Sequence, residues 1–162
     1  MRESVQCAYR AIVIDDMEFC RDLLTEFLEA RGYQVISFPD VTACPLFPSR
    51  NAECIKTAAC ADFLLTDNRM PHMQGLDFLE LMIQGKCKIN PCAKAIFSAL
   101  WTQEELDRAK QLNCKAFSKP YDLDMLSNWL NEQEKQIHQD RNLAEFENVM
   151  EQNNSDGTKS IR

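Results

Sequence analysis

Three carboxylates, one small hydroxyl and one lysine stand out in this 162-residue chain: Asp15, Asp16, Asp67, Ser98 and Lys119. Each closes a short strand-like run. Carboxylates held close together repel one another, and such a cluster is tolerated mainly when a hard divalent cation fills it. Magnesium suits a shallow edge site, because it takes oxygen ligands, keeps several waters and commonly shares its shell with a phosphate. No EF-hand loop pattern is present. A lysine and a hydroxyl facing the same ion supply a cation and a hydrogen-bond donor for a dianionic group. The set suits phosphorylation of an aspartate: a carboxylate attacks phosphorus, the ion neutralises charge on the equatorial oxygens, and lysine and serine hold the product.

The elements that must position these residues follow from the hydrophobic pattern. The run 9–14 is β-prone and ends in Asp15-Asp16. Phe19, Leu23, Leu24, Phe27 and Leu28 then recur at helical spacing, with Gly32 as the stop. Residues 34–38 make a second strand, 62–66 a third running into Asp67, 93–97 a fourth ending at Ser98, and 115–118 a fifth ending at Lys119-Pro120. Between the last three, Leu76, Leu79, Met82 and Ile83 mark one helical face. Thr102 with Glu105 forms a capping box, and Asp122 can cap a final helix carrying Leu123, Leu126, Trp129 and Leu130. Residues 39–61 are a loop-rich insertion, with Pro39, Pro45 and Pro48 breaking any early helix and a short helix expected around 52–58. The alternation gives five βα units. It therefore predicts a doubly wound parallel sheet whose strand ends gather ligands at one edge.

Composition narrows the function. With 18 Lys and Arg against 25 Asp and Glu the net charge is −7, so no chain-wide basic field exists for phosphate backbones and direct nucleic-acid binding is not expected. No apolar run approaches the roughly 18 residues of a membrane span, and no signal-peptide core is legible, which points to the cytoplasm. The eight cysteines, Cys7, Cys20, Cys44, Cys54, Cys60, Cys87, Cys92 and Cys114, include no C-x-x-C pair. They read as free thiols filling core volumes rather than as a zinc site, even for the Cys44, Cys54, Cys60 group. His72 and His138 read as exposed loop and polar-segment residues.

Asp15-Asp16, the stretch Leu64-Leu65-Thr66-Asp67-Asn68-Arg69-Met70-Pro71 with Gly75, the Ser98-Ala99 pair and Lys119-Pro120 together resemble the response-regulator receiver domain of two-component signalling. The resemblance spans about 10–130. It implies the (βα)5 flavodoxin-like fold with strand order 2-1-3-4-5, and a phosphoryl group accepted by Asp67 from a sensor histidine kinase or a histidine phosphotransfer protein. It implies that Mg2+ is ligated by Asp16, Asp67 and the backbone carbonyl of Arg69, with Asp15 assisting largely through water. Ser98 and Lys119 would contact the phosphoryl group. The downstream protein would read the change on the face from 102 to 130, and a homodimer is compatible with the reading.

Two features depart from the family. Receivers usually carry a switch aromatic three residues before the lysine, where this chain has Ala116 and places Phe117 one residue later. Either the last strand shifts to let Phe117 serve, or the aromatic switch is absent. The second departure is the 39–61 insertion. After the receiver, taken as 1–130, the segment 131–162 reads as a polar extension of the last helix ending in a disordered tail, with no output domain. The expected protein is a stand-alone phosphoacceptor rather than an enzyme acting on other molecules. Its rival is an interaction module that no longer depends on phosphorylation. A haloacid-dehalogenase-type hydrolase would want D-x-D after the first strand, and Asp15-Asp16-Met17-Glu18 does not supply it.

Overall fold

The apolar runs separate cleanly by side. In the computed structural model, which describes residues 9–43, 54 and 57–145, the strands are β1 (Arg10–Ile14), β2 (Gln34–Phe38), β3 (Phe63–Asp67), β4 (Lys94–Ser98) and β5 (Lys115–Ser118). All pair in parallel, in the order β2-β1-β3-β4-β5 that was expected. Because successive side chains of a strand point to opposite faces, each central strand feeds two cores. Ala11, Val13, Phe63, Leu65, Ala95 and Phe97 pack with Leu24, Leu28, Leu126 and Leu130 on one side. Ile12, Ile14, Leu64 and Ile96 pack with Leu76, Phe78, Leu79 and Met82 on the other. Covering both faces is what makes β1, β3 and β4 continuous runs of buried residues rather than alternating ones.

The helices are α1 (Glu18–Ala30), α2 (Gly75–Gln84), α3 (Gln103–Gln111) and α4 (Leu123–Glu134). α1 and α4 lie on the first face, α2 and α3 on the second. The Thr102–Glu105 capping box opens α3 as expected, with Glu105 N–H donating to Thr102 Oγ1 and Thr102 N–H to Glu105 Oε1. Asp122 caps α4 by accepting from Met125 N–H. At the end of α2, Ile83 is more exposed than its place on the apolar face suggested.

Two expectations need correction. Five βα units were expected, whereas the described residues hold four helices: the connection from β2 to β3 shows only a 3-10 turn at Val41–Ala43. Asp40 holds that turn by accepting from Thr42 N–H at 2.9 Å. The short helix expected around 52–58 falls mostly outside the described residues, and Thr57 and Ala58 are bends. The last helix also stops at Glu134 instead of extending. The chain turns back toward the edge of the sheet opposite the strand C-termini, where Ala144 N–H donates to Ala59 C=O and Leu143 bridges Ala59. A buried carboxylate accounts for this return. Asp62 is 8% exposed and needs cationic and N–H donors, which Arg141 supplies with Nε and Nη2 at 2.7 Å each. The expected tail at 153–162 lies outside the described residues.

One group in the core is out of place. Lys94, at the start of β4, is fully buried on the α2–α3 side, and its Nζ has no hydrogen-bond partner among the described residues. An orphaned buried donor costs stability that an apolar side chain of similar length would not. Lys94→Met should therefore raise the unfolding free energy by about 1–3 kcal/mol, seen as a higher urea midpoint with unchanged slope; a lower midpoint would show that the ammonium is stabilised where it sits.

Candidate functional site

β1, β3 and β5 end at the same edge of the sheet, and the side chains just past their ends meet there. Asp15 follows β1 with its N–H held by Phe38 C=O of β2. Its side chain is almost wholly buried, and Oδ1 accepts from Met17 N–H at 2.9 Å while its carbonyl accepts from Arg21 Nη1 at 2.7 Å. The carboxylate is thus fixed before any ligand arrives. Asp16 is exposed beside it. Asp67 ends β3 and is 6% exposed. Carboxylate oxygens of Asp15, Asp16 and Asp67 all lie within 4.8 Å of one another.

The loop after Asp67 is held tightly. Asn68 N–H donates to Phe97 C=O, Gly75 N–H to Asn68 C=O, and Leu76 N–H to Asn68 Oδ1 at 3.2 Å. These bonds draw the start of α2 against the strand end so closely that a Cβ at Gly75 would collide with the carbonyl oxygen of Asp67. That is why a glycine stands in the motif. Arg69 follows in the same loop with its residue surface exposed.

Lys119 reaches across from β5. Its Nζ lies 2.9 Å from Asp67 Oδ1 and 3.1 Å from Asp15 Oδ2, and its backbone N–H donates to Ser98 C=O. One ammonium facing three carboxylates leaves the electrostatics unbalanced. Burial first, and then the charges of Asp15 and Asp16, push Asp67 above the ordinary carboxylate range despite the hydrogen bond from Lys119. For Lys119, burial pulls downward, but the bond to Asp67 and the charges of Asp15 and Asp67 outweigh it and leave the ammonium above its usual value. The donor set fits a magnesium ion: hard oxygen ligands, excess negative charge, and an open flank at Asp16.

Ser98 sits at the same edge, but its hydroxyl is not among the carboxylates. It donates to Leu100 C=O at 3.0 Å and accepts from Leu100 N–H at 3.3 Å. The alternatives for Phe117 also resolve. β5 pairs with β4 in unbroken register, Phe97 opposite Phe117 and Ser98 opposite Ser118. Phe117 therefore faces the α1–α4 side, stacked on Phe97 at 5.2 Å. Ala116 and Trp101 pack on the α2–α3 side instead, and Trp101 Nε1–H donates to Phe117 C=O at 2.8 Å.

Outside the site, His72 is exposed and 3.8 Å from Asp40, and His138 is exposed. Cys20, Cys54, Cys87, Cys92 and Cys114 are free thiols; burial pushes the Cys114 thiol up to about 11, as suits an inert core filler. Cys7 and Cys44 lie outside the described residues. Two site neighbours were not anticipated from sequence. Tyr121 Oη donates to Asp15 Oδ2 at 3.1 Å, and Asn68 Nδ2 donates to Glu105 Oε2 at 3.0 Å. Their positions, two past Lys119 and one past Asp67, were the available signal.

A family model described as the response regulator receiver domain matches residues 11–131. The chain is similar in structure to the chemotaxis protein CheY4 of Vibrio cholerae, at 21% identity and TM-score 0.56, covering 76% of this chain and 96% of that one. It is similar to the Francisella response regulator 1452 receiver domain at 19% and 0.61, covering 79% and 98%. A response regulator receiver protein from Pseudomonas putida matches at 21% and 0.60, covering 76% and 95%. No curated protein matches the chain.

The charge imbalance has a measurable consequence. Without magnesium, Asp16→Asn should raise Tm by on the order of 2–5 °C, because it removes a like charge beside buried Asp67. The folded state holds the Asp67 proton more readily than the unfolded chain does, so the repulsion is present at neutral pH. The gain should therefore shrink as pH falls through the raised Asp67 range and that carboxyl becomes neutral. Calorimetry across pH checks this; a gain that grows on acidification contradicts it.

Proposed function

The chain belongs to the response regulator receiver domain family, and from that membership we propose that it accepts a phosphoryl group on Asp67 and so switches its contacts with other proteins. The observation that carries the reading is Lys119 bridging Asp67 and Asp15 beside an exposed Asp16, with carboxylate oxygens of all three aspartates within 4.8 Å. The donor is a sensor histidine kinase or a histidine phosphotransfer protein. Asp67 attacks the phosphorus of the phosphohistidine, a P–O bond forms as the P–N bond breaks, and the imidazole, already protonated on its other ring nitrogen, keeps the bond's electron pair and leaves neutral. The transfer is catalysed by the receiver's own residues, and the chain is a phosphoacceptor rather than an enzyme turning over a separate substrate.

Asp16, Asp67 and the Arg69 carbonyl would ligate magnesium. Asp15, whose oxygens already accept from Met17, Lys119 and Tyr121, would act through water. When bound, magnesium supplies positive charge to the phosphoryl oxygens. Lys119 is then free to turn from both Asp67 and Asp15 to one phosphoryl oxygen, and Ser98 can exchange its bond to Leu100 for another. Both changes act on the chain entering α3 and α4, which supports the 102–130 face as the output surface. Leu106 and Met125 are exposed apolar residues there, as a protein-binding face requires. Free thiols at Cys20, Cys54, Cys87, Cys92 and Cys114 among the described residues suit the reducing cytoplasm, and no described helix is long and apolar enough to cross a membrane.

Incubation with acetyl phosphate and magnesium should add a single phosphoryl group by intact mass, and Asp67→Asn should abolish the addition because an amide oxygen is too weak a nucleophile. Asp16→Asn should weaken magnesium binding more than Asp15→Asn. Labelling that survives in Asp67→Asn would move the acceptor elsewhere, and the reverse order of magnesium affinities would exchange the two aspartate roles.

A further inference from the structure

Asp15 Oδ2 accepts two donors of different character. One is Lys119 Nζ at 3.1 Å, on a four-carbon stem shared with Asp67. The other is Tyr121 Oη, also at 3.1 Å. The tyrosine ring is held edge-on against Phe97 at 5.0 Å and 87°, and the chain beyond it enters the Asp122 cap of α4. One donor can swing; the other is set in the aromatic core. The Asp15 side chain is almost wholly buried, so leaving one of its oxygens without a donor there is costly.

We propose that Tyr121 is a positioning residue for the phosphoryl site, its hydroxyl holding Asp15 in place when Lys119 leaves Asp15 for the phosphoryl group. This rests on the reading of Asp67 as phosphoacceptor and adds a part to it. Before phosphorylation Asp15 Oδ2 has two donors, and loss of either leaves one. Afterwards the phenol is the donor that remains. Asp15 then keeps its orientation toward the cation site at the moment Lys119 is needed elsewhere.

The role separates two measurements that a general loosening of the fold would move together. Tyr121→Phe keeps the ring and its contact with Phe97, so Tm should change little. Affinity for magnesium alone should fall less than twofold, since Lys119 still serves Asp15. Affinity for beryllofluoride in saturating magnesium, a stand-in for the phosphoryl group that recruits Lys119, should fall roughly tenfold. In an Asp15→Asn background the same Tyr121→Phe change should have no further effect on beryllofluoride. Equal beryllofluoride affinities in Tyr121→Phe and wild type, or a loss that persists undiminished in Asp15→Asn, overturns the role of Tyr121. Wild-type protein that takes no phosphoryl group from acetyl phosphate overturns the acceptor reading, and this inference with it.

Discussion

The structure turns on one ammonium serving two carboxylates. Lys119 lies between Asp15 after β1 and Asp67 at the end of β3, and it comes from the end of β5, two strands away from β3. That reach exists only because the strand order brings β1, β3 and β5 to the same edge with parallel polarity. An antiparallel β5 would deliver its end, and the lysine, to the opposite side of the sheet. The tight packing of Gly75 against the Asp67 carbonyl and the anchoring of Asp15 to Phe38 follow from the same need. Carboxylates that repel must be held by backbone, since they will not hold themselves.

The opposite edge offers a contrast in the same chain. There Asp62 is also buried, yet it accepts from Arg10 N–H and from two nitrogens of Arg141, at 2.7–2.9 Å. Its charge is matched by a guanidinium, and the result is a structural clamp that fastens the returning segment beside Ala59. At the strand C-termini one ammonium faces the cluster, and burial first, with the charges of Asp15 and Asp16 added, raises Asp67. Both carboxylates are buried, and what separates the two ends is how the cations are shared: a guanidinium for Asp62, one ammonium between Asp15 and Asp67.

Much of this was legible in the sequence, and what was not has physical causes. β2 and β5 have the residue bounds that the pattern gave, and the other three strands shift by one residue or so. Strands covered on both faces are short apolar blocks, and their shortness and flanking turn residues are what separate them from buried helices. The site residues stood out because each ends such a block. What failed to show were features made by distant partners. The stop of α4 at Glu134 depends on Asp62 drawing Arg141 back, a pairing across 79 positions. The side on which Phe117 faces was open until the β4–β5 register fixed it. Tyr121 reads as one more apolar residue before a helix until its hydroxyl is found on Asp15.

Asp67 and the 102–130 face are joined by more than Ser98 and Lys119. Asn68, the residue after Asp67, accepts from Leu76 at the start of α2 and donates to Glu105 at the start of α3. Glu105 is the reciprocal member of the Thr102 capping box, and its bonds to Thr102, opposed in part by burial and aided by Asn68, hold its carboxylate below the usual range. A second tie runs from Trp101, one residue before that cap, to the Phe117 carbonyl on β5, two residues before Lys119. Both ties converge on the first turn of α3. A capped helix end is a cooperative unit, since a shift in the cap changes the hydrogen bonding of several backbone N–H groups at once. A displacement of the Asp67 loop and a displacement of Lys119 therefore act on the same three residues, Trp101, Thr102 and Glu105. In a chain that places alanine where its family usually carries an aromatic, that convergence gives the site a physical connection to its surface without one.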